Sequence, residues 1–258
     1  MKKFVKLIAV MLLVCLCLTA CGSADGDLAT IEKNGKIVVG ITEYEPMDYL
    51  DENGQWTGFD AEFARAVAAE LGVEAEFIEI DWDNKFFELE SGAIDCIWNG
   101  MTITEEALAN ASVSDPYVMN AQVVVMDKAK LADYPDAASM ADLKFAAEAS
   151  SAGELAITDI VGAASCTSVL TQSDALLEVA SGSADACVID ITMANAMTGE
   201  GTSYAELGYA VKLTSEEYGI AFRKDSDLTA KVNELMAAMK ADGTLQALAD
   251  KYSLTLAD

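Results

Sequence analysis

Two stretches of this chain place residues that could contact a small polar molecule directly after short apolar runs. Asn99, Gly100 and Thr102 follow the first run, and Asp190 ends the second. Amide, hydroxyl and carboxylate groups all form hydrogen bonds with polar ligands. The chain contains no histidine, which excludes the Ser-His and Cys-His pairs of many nucleophilic enzymes. These residue types therefore favour reversible binding over covalent catalysis.

The two stretches are near copies of one another, ninety residues apart. Each has the pattern of a helix end, a Gly turn, a buried strand and a loop. The recurring positions are Glu88, Ser91, Gly92, Asp95 and Thr102, which return as Glu178, Ser181, Gly182, Asp185 and Thr192. Two copies predict two similar α/β lobes and not a solenoid. Open α/β sheets bind ligands at the carboxyl ends of their strands, so we expect residues 98–102 and Asp190 to face one cleft.

Strands and helices alternate around the first copy. The predicted elements are strands at 36–40 and 76–80 and helices at 58–72 and 83–90. The order βαβαβ predicts a parallel sheet with right-handed crossovers. In the first helix Asp60 lies in the first turn, where the helix dipole favours a carboxylate, and Arg65 lies on the solvent face.

The remaining elements divide the chain into lobes. An isolated apolar strand at 122–126 is predicted to be the first crossing between lobes, and residues 218–222 the return crossing. The second lobe contains a strand at 145–148 and a helix after Ser151. The predicted boundaries are 31–120 with 218–258 for the first lobe and 121–217 for the second. Two crossing strands form a hinge near 123–126 and 218–222, which we expect to close on a ligand.

The amino terminus has the pattern of a targeting segment. Lys2, Lys3 and Lys6 precede an apolar run at 8–18 that is too short for a comfortable membrane span. The tetrapeptide Leu-Thr-Ala-Cys that ends at Cys21 then resembles a bacterial lipobox. A plain signal peptide and an uncleaved helix are the alternatives. The lipobox predicts a signal peptide at 1–20, lipidation of Cys21 and a tether at 21–30.

Charge and cysteine content exclude several classes of partner. The formal net charge of −27 repels phosphate backbones, so we expect no nucleic-acid partner. It also disfavours docking on anionic lipid, so membrane attachment must come from the anchor. Cys96 and Cys187 lie in apolar strands, where free cysteine behaves as a small hydrophobe, and Cys166 leaves the number odd. Without histidine or a CxxC pair we expect no metal and no cofactor.

Several short motifs occur in an order that resembles a known family. They are Lys36-Ile-Val-Val-Gly40, Gly58-Phe-Asp60, Ser91-Gly-x-x-Asp95, Gly100-Met-Thr-Ile-Thr104-x-Glu106, Ser114-Asp-Pro-Tyr117 and Asp185-Ala-Cys-Val-Ile-Asp190. The ordered set, over residues 31–252, is similar to the solute-binding proteins of family 3, which serve ABC importers. The resemblance implies the α/β type II periplasmic-binding fold, two lobes joined by a two-strand hinge. It also implies an amino acid or related small amine as ligand, an ABC permease as partner, and a lipid-anchored monomer on the extracytoplasmic face of the cell membrane.

The resemblance assigns roles to individual residues. Tyr44 would cover the ligand, Trp82 would line the cleft, and Asp190 would bind the α-ammonium. The loop after the first repeated strand would supply hydrogen bonds from Asn99, Gly100 and Thr102, next to Trp98, which the repeat places at the same cleft. Ser151 belongs to a Gly-Ser/Thr loop whose backbone N–H groups suit an anion. Simpler interpretations stay open: Asp190 and Ser151 as helix N-caps, Tyr44, Trp82 and Trp98 as packing residues, and Asn99 and Thr102 as loop stabilisers.

One position departs from the family pattern. Family members carry an arginine that clamps the ligand's α-carboxylate where this chain has Ala107. The chain has only two arginines, Arg65 and Arg223, and neither is an obvious substitute. Either neutral donors and a helix terminus hold the carboxylate, or the ligand is a cationic amine bound by aromatic rings and Asp190.

Two other functions remain open on the same scaffold. The first is an enzyme similar to cyclohexadienyl dehydratase; its anionic substrates need cationic groups in the cleft, and the sequence identifies none. The second is a sensor or adaptor that reports ligand occupancy to a membrane partner. We expect a binding protein without catalytic residues.

Overall fold

The computed structural model describes residues 26–258, which fold into two α/β lobes. Each lobe is built on one five-stranded sheet with helices packed against it. Among these residues no helix combines the length and the apolar character needed to cross a membrane.

The first lobe contains the predicted βαβαβ unit. Its elements are α1 (Asp27–Asn34), β1 (Lys36–Ile41), β2 (Tyr49–Leu50), β3 (Trp56–Thr57), α2 (Phe59–Glu70), β4 (Glu74–Glu79), α3 (Lys85–Ser91), β5 (Cys96–Ile97), α4 (Glu105–Asn110), β6 (Ser112–Val113) and a returning strand, β14 (Ala221–Phe222). The sheet order is β4-β1-β5-β14-β6. Strand β1 is parallel to β4 and β5, whereas β14 is antiparallel to β5 and β6. The prediction of a parallel sheet is confirmed for its core.

Helix α2 buries the apolar residues whose spacing predicted it. Phe59, Phe63 and Val67 lie on one face, four residues apart, and all three are fully buried. Residues at this spacing share one side of a helix. Gly72 follows the helix with a φ of +72°, a left-handed conformation that glycine adopts without a Cβ penalty. The chain thus turns back into β4 at the predicted place.

The second lobe follows the same plan, and its strand β8 is antiparallel to both of its neighbours. Its elements are β8 (Gln122–Asp127), β9 (Lys144–Glu148), α5 (Ala152–Ala156), β10 (Ser165–Val169), α6 (Gln172–Ala180), β11 (Ala186–Asp190), α7 (Ile191–Met197) and β12 (Leu207–Lys212). The sheet order is β10-β9-β11-β8-β12. Strand β9 is parallel to β10 and β11, and β8 is antiparallel to β11 and β12.

The internal repeat is confirmed by two equivalent hydrogen bonds. In the first lobe the Asp95 carboxylate accepts from the backbone N–H of Val38 at 2.8 Å. In the second lobe the Asp185 carboxylate accepts from the backbone N–H of Lys144 at 3.0 Å. Each aspartate lies just before its repeated strand and holds the start of that strand against the neighbouring strand. The two repeated strands therefore begin, and also end, at equivalent edges of their sheets.

The connection between the lobes lies only partly where the sequence placed it. Of the predicted return crossing 218–222 it includes Tyr218, whereas Ala221 and Phe222 form β14 of the first sheet. Strand β7 (Val118–Asn120) pairs antiparallel with β13 (Glu216–Tyr218), and these two segments form the crossing. The predicted hinge segment 123–126 instead lies inside the second sheet, between β11 and β12. An apolar run indicates a buried strand. The true crossing is short and contains polar residues, so no hydrophobic pattern in the sequence indicated its position.

The terminal helices pack on the first lobe. Helices α8 (Asp227–Asp242) and α9 (Thr244–Lys251) contact α2, as predicted. Helix α1 corrects the predicted tether, which was to extend through residue 30: Ile31 is fully buried, and the N–H of Leu28 donates to Asp227 at 3.0 Å. The predicted signal peptide and Cys21 lie outside the described residues.

Candidate ligand-binding site

A cavity of about 590 Å³ lies between the two lobes. Loops after β1 and β5 and the starts of α3 and α4 form its first-lobe wall, and the ends of β9 and β11 with the start of α5 form the other. The predicted residues that line it are Tyr44, Trp82, Asn99, Gly100, Thr102, Ser151 and Asp190. The cleft at the carboxyl ends of the repeated strands is therefore present.

Asp190 is the last residue of β11 and lies in the cavity wall with only 6 % of its surface exposed. Its carboxylate accepts hydrogen bonds from Gln122 at 2.8 Å and Gln172 at 2.5 Å, and a third from Asn120. The alternative role as an N-cap is not realised, because its side chain makes no capping bond to α7. Burial, and then the nearby Glu216 carboxylate, raise the pKa of Asp190 to about 7.

No lysine or arginine in residues 26–258 forms an ion pair with Asp190. A buried carboxylate without a cation carries a large desolvation cost. The three amides orient the group but leave its charge uncompensated. Asp190 is thus arranged to attract a positively charged group that enters the cavity.

Glu148 is a second buried carboxyl group in this wall, and the sequence interpretation missed it. It ends β9, as Asp190 ends β11, and it is 3 % exposed. Burial, and then the charge of Asp190, raise the pKa of Glu148 to about 8. Its Oε1 atom has no hydrogen-bond partner among the described residues. The sequence feature that could have identified Glu148 is the one that identified Asp190: a charged residue at the carboxyl end of an apolar strand.

Lys85 places a cation in the cleft, which corrects the expectation that none was there. The side chain is 5 % exposed and lines the cavity. Its Nζ donates to the carbonyl of Trp82 at 3.2 Å and, across the cleft, to the carbonyl of Ser150 at 3.1 Å. The ammonium also lies 5.0 Å from the Trp82 ring centroid and 5.1 Å from that of Phe86. Burial lowers the pKa of Lys85.

Trp98 does not reach the cavity, so its prediction as a cleft residue is wrong. The side chain is 1 % exposed and packs edge-on against Phe63, with ring centroids 4.9 Å apart. Successive side chains of an extended segment point to opposite faces, and Trp98 lies on the face that α2 covers. The alternative interpretation as a packing residue is the correct one.

Asn99 borders the cavity with a side chain that is already fully engaged. Its Oδ1 accepts from the N–H and the hydroxyl of Thr42, and its Nδ2 donates to the Thr42 carbonyl and to Asp48. An amide has two donor and two acceptor positions, and all four are used here. Asn99 therefore stabilises the loop, which was the second interpretation of this residue.

Gly100 is fixed from below by Asp60. The Gly100 N–H donates to the Asp60 carboxylate at 2.6 Å, and the Tyr117 hydroxyl donates to the same oxygen at 2.8 Å. Asp60 lies in the first turn of α2, as predicted, and is fully buried. Burial raises its pKa to about 7, and its carboxyl group anchors the loop. Gly100 has a φ of +54°, and a Cβ there would lie 2.5 Å from the Tyr44 ring. Only glycine fits this close approach.

Thr102 and Tyr44 connect the cavity to the lobe crossing and to the second lobe. The Thr102 hydroxyl donates to Glu216 of β13 at 2.9 Å. The Tyr44 hydroxyl bonds both Thr192 of the second lobe and Tyr218 of β13. Together with the contact of Lys85, these bonds hold the lobes against each other across the cavity.

Ser151 takes its N-cap role, but the predicted anion site at this helix end is not realised. The Ser151 hydroxyl accepts from the Glu154 N–H at 3.1 Å. The Glu154 carboxylate in turn accepts from the Ser150 N–H at 2.9 Å. A carboxylate of the chain itself thus occupies the turn, and α5 has only 5 residues, so the helix dipole is weak.

The cavity has a strongly acidic lining. Its carboxyl groups belong to Glu105, Glu106, Glu148, Glu154, Asp159 and Asp190, and Lys85 is the one lysine or arginine in the lining. Arg65 is solvent-exposed, and Arg223 pairs with Asp27 and Asp95, so neither arginine reaches the cavity. No group of three or more Cys, Asp or Glu side chains in residues 26–258 is arranged to hold a metal ion.

Known proteins share both the sequence pattern and this architecture. The model of bacterial extracellular solute-binding proteins, family 3, matches residues 37–255. The arginine-binding extracellular protein ArtP of Bacillus subtilis strain 168 is 30 % identical, over 98 % of each chain. The L-cystine-binding protein TcyJ of Escherichia coli strain K12 is 28 % identical, over 88 % of this chain and 86 % of its own.

A solved structure adds a similar backbone. An ancestral amino acid-binding protein, described as a precursor of cyclohexadienyl dehydratase, is 33 % identical with a TM-score of 0.80, covering 87 % of this chain and 98 % of that chain. The chain belongs to the bacterial extracellular solute-binding proteins of family 3. Its two lobes and two-strand connection are the type II periplasmic-binding-protein fold.

Proposed function

We propose that this protein is the substrate-binding lipoprotein of an ABC importer and that it captures an amino acid or related small amine between its lobes. The observation that carries the proposal is Asp190, a buried, oriented carboxylate that no lysine or arginine of residues 26–258 pairs with, in the wall of the cavity between the lobes. A ligand ammonium provides the missing charge, and such charge-assisted hydrogen bonds are the stronger kind. Two relatives named for amino acids, arginine and L-cystine, support this class of ligand.

The lining favours a ligand with net positive charge. Even with Glu148 protonated, the other carboxyl groups of the lining outnumber its one ammonium and give a negative potential that low-dielectric walls concentrate. Among amino acids, those with a cationic side chain match this field best. Trp82 adds an aromatic face that can contact a cation.

A ligand screen by thermal shift tests the proposal directly. Binding only the folded state raises stability by about 2.7 kcal/mol at a hundred times Kd. We expect L-arginine or another cationic amino acid to raise the melting temperature in a saturable way. The absence of a shift with every proteinogenic amino acid, with L-cystine and with polyamines would contradict the proposed function.

Catalysis on the same scaffold is the second candidate. Glu148 lines the cavity and has a raised pKa, which is the state that a general acid requires. The acidic lining opposes it, because it repels anionic substrates. Formation of product from prephenate or arogenate would establish the enzyme and replace the binding role. A role as a sensor or adaptor would instead show as capture of a membrane partner other than a permease.

We expect the mature protein to be anchored to the extracytoplasmic face of the membrane through a lipid on Cys21, from where it delivers ligand to a permease. The basis is the lipobox after a short apolar run. Cys21→Ser should release the protein from the membrane fraction into the soluble one, as measured by fractionation and immunoblotting. If the variant still requires detergent for extraction, the anchor assignment is wrong.

A further inference from the structure

Lys85 carries a buried positive charge that no carboxylate of residues 26–258 contacts. The side chain is 5 % exposed, and no carboxylate oxygen of these residues lies within 4.0 Å of its Nζ atom. The carboxyl groups of Glu106, Glu148 and Asp83 favour its charge from farther away, but burial outweighs them and lowers its pKa. Leaving an ammonium buried without an anion costs several kcal/mol. A negatively charged group of a bound ligand would offset this cost.

The hydrogen bonds of Lys85 leave one donor free. An ammonium has three N–H donors, and two are directed at the carbonyls of Trp82 and Ser150. The nearby carboxyl group of Glu148 does not take the third, because neither of its oxygens pairs with the Lys85 ammonium. Ala107 in the same wall offers no polar side chain. The free donor is thus available to an oxygen of a ligand in the cavity.

We propose that Lys85 binds the carboxylate of the ligand while Asp190 binds its ammonium, so that the protein selects zwitterionic amino acids over the corresponding amines. This inference rests on the proposed function and specifies its ligand class. Lys85 comes from α3 of the first lobe and Asp190 from β11 of the second. A ligand with both charges therefore contacts both lobes, and a decarboxylated ligand loses the contact with the first.

Lys85 also has a structural role that the test must separate from carboxylate binding. Its bond to the Ser150 carbonyl joins the two lobes. If Lys85 acted only by holding the lobes together, its removal would weaken all ligands by the same factor. Recognition of a carboxylate weakens only the ligands that possess one.

The experiment is calorimetry with two matched pairs of probes, L-arginine with agmatine and L-cystine with cystamine. The proteins are the parent, Lys85→Met, Lys85→Gln and the control Lys36→Met. Gln keeps N–H donors for the carbonyls without the charge. Lys36 pairs with Glu76 on the exposed surface of the first lobe, so its replacement removes an equal charge away from the cavity.

We expect the parent to bind at least one amino acid about tenfold or more tighter than its amine. Both Lys85 variants should lower amino-acid affinity by about ten- to a hundredfold, the range of one charge-assisted hydrogen bond. Affinity for the amine should change by less than about threefold, which also shows that the variants are folded. Lys36→Met should resemble the parent.

Three outcomes overturn the inference. Equal losses for amino acid and amine in either Lys85 variant would assign Lys85 to lobe closure alone. An unchanged amino-acid affinity in Lys85→Met would remove Lys85 from the site, while leaving the proposed function intact. A parent that binds none of the four probes would overturn the inference, whereas the proposed function falls only if the thermal-shift screen of all amino acids and polyamines is also negative.

Discussion

Asp190→Asn is expected to lower the affinity for the bound amino acid by about a hundredfold, and by at least tenfold. The Asp190 carboxylate is the proposed partner of the ligand's ammonium group. One charge-assisted hydrogen bond is worth about 1.5–3 kcal/mol. The substitution also places an NH₂ group where Gln122 and Gln172 donate their own N–H groups. Opposed donors add the cost of unmade hydrogen bonds, so the loss should lie at the upper end.

Calorimetry with L-arginine measures this loss, and Asp142→Asn is the matched control. Asp142 lies on the exposed surface of the second lobe and does not line the cavity, so its replacement removes the same charge without touching the site. Agmatine should lose as much affinity as L-arginine in Asp190→Asn, because both carry a cation. If Asp190→Asn binds L-arginine like the parent, Asp190 does not contact the ligand.

Local sequence signals were sufficient for the fold and for one charged site residue. The recurring Ser-Gly-x-x-Asp pattern predicted two strands that enter their sheets in the same way, and Asp95 and Asp185 make equivalent backbone contacts. Because both strands run in the same direction from equivalent aspartates and ligands bind at the carboxyl ends of such strands, Asp190 could be placed in the cleft from the chain alone.

The rest of the site could not be predicted as well, because the sequence does not show which way each side chain points. Trp98 and Asn99 are neighbours, yet one packs under α2 and the other borders the cavity. In an extended segment two adjacent side chains point to opposite faces, but this alternation does not show which of the two faces the ligand. That choice is made by α2, whose position depends on tertiary packing.

Lys85 and Glu148 were missed for a related reason. A lysine at the start of a helix and a glutamate at the end of a strand usually face solvent. Here both residues line the cavity between the lobes, Lys85 from the first lobe and Glu148 from the second, and there they are shielded from solvent. Contacts of this kind join segments distant in sequence, such as Lys85 with Ser150, and no short motif encodes them.

Glu148→Gln is expected to stabilise the ligand-free protein at pH 8 by about 3 kcal/mol and to have little effect near pH 4.5. Glu148 is buried, and its folded-state pKa is about 8 against an ordinary value of 4.5. Between these two values the folded state holds a proton that the unfolded state releases. Stability therefore falls as pH rises through this window, and each pKa unit corresponds to about 1.4 kcal/mol.

Several charges set the size of this effect. Asp190, Asp174 and Asp81 disfavour ionisation of Glu148, whereas Lys85 favours it. Glutamine has the shape of the protonated acid and does not titrate, so the variant avoids the charge at high pH. Its buried amide recovers less than the full electrostatic gain because one polar atom stays unpaired, which is why about 3 kcal/mol is expected.

Urea unfolding at intervals from pH 4.5 to pH 8 measures the difference between Glu148→Gln and the parent. Glu206→Gln, an exposed position of the second lobe, controls for the loss of one negative charge and should follow the parent at every pH. The difference for Glu148→Gln should grow steadily as pH rises. A difference that stays constant across this range would mean that Glu148 is already ionised in the folded protein, with a cation close enough to hold its pKa down.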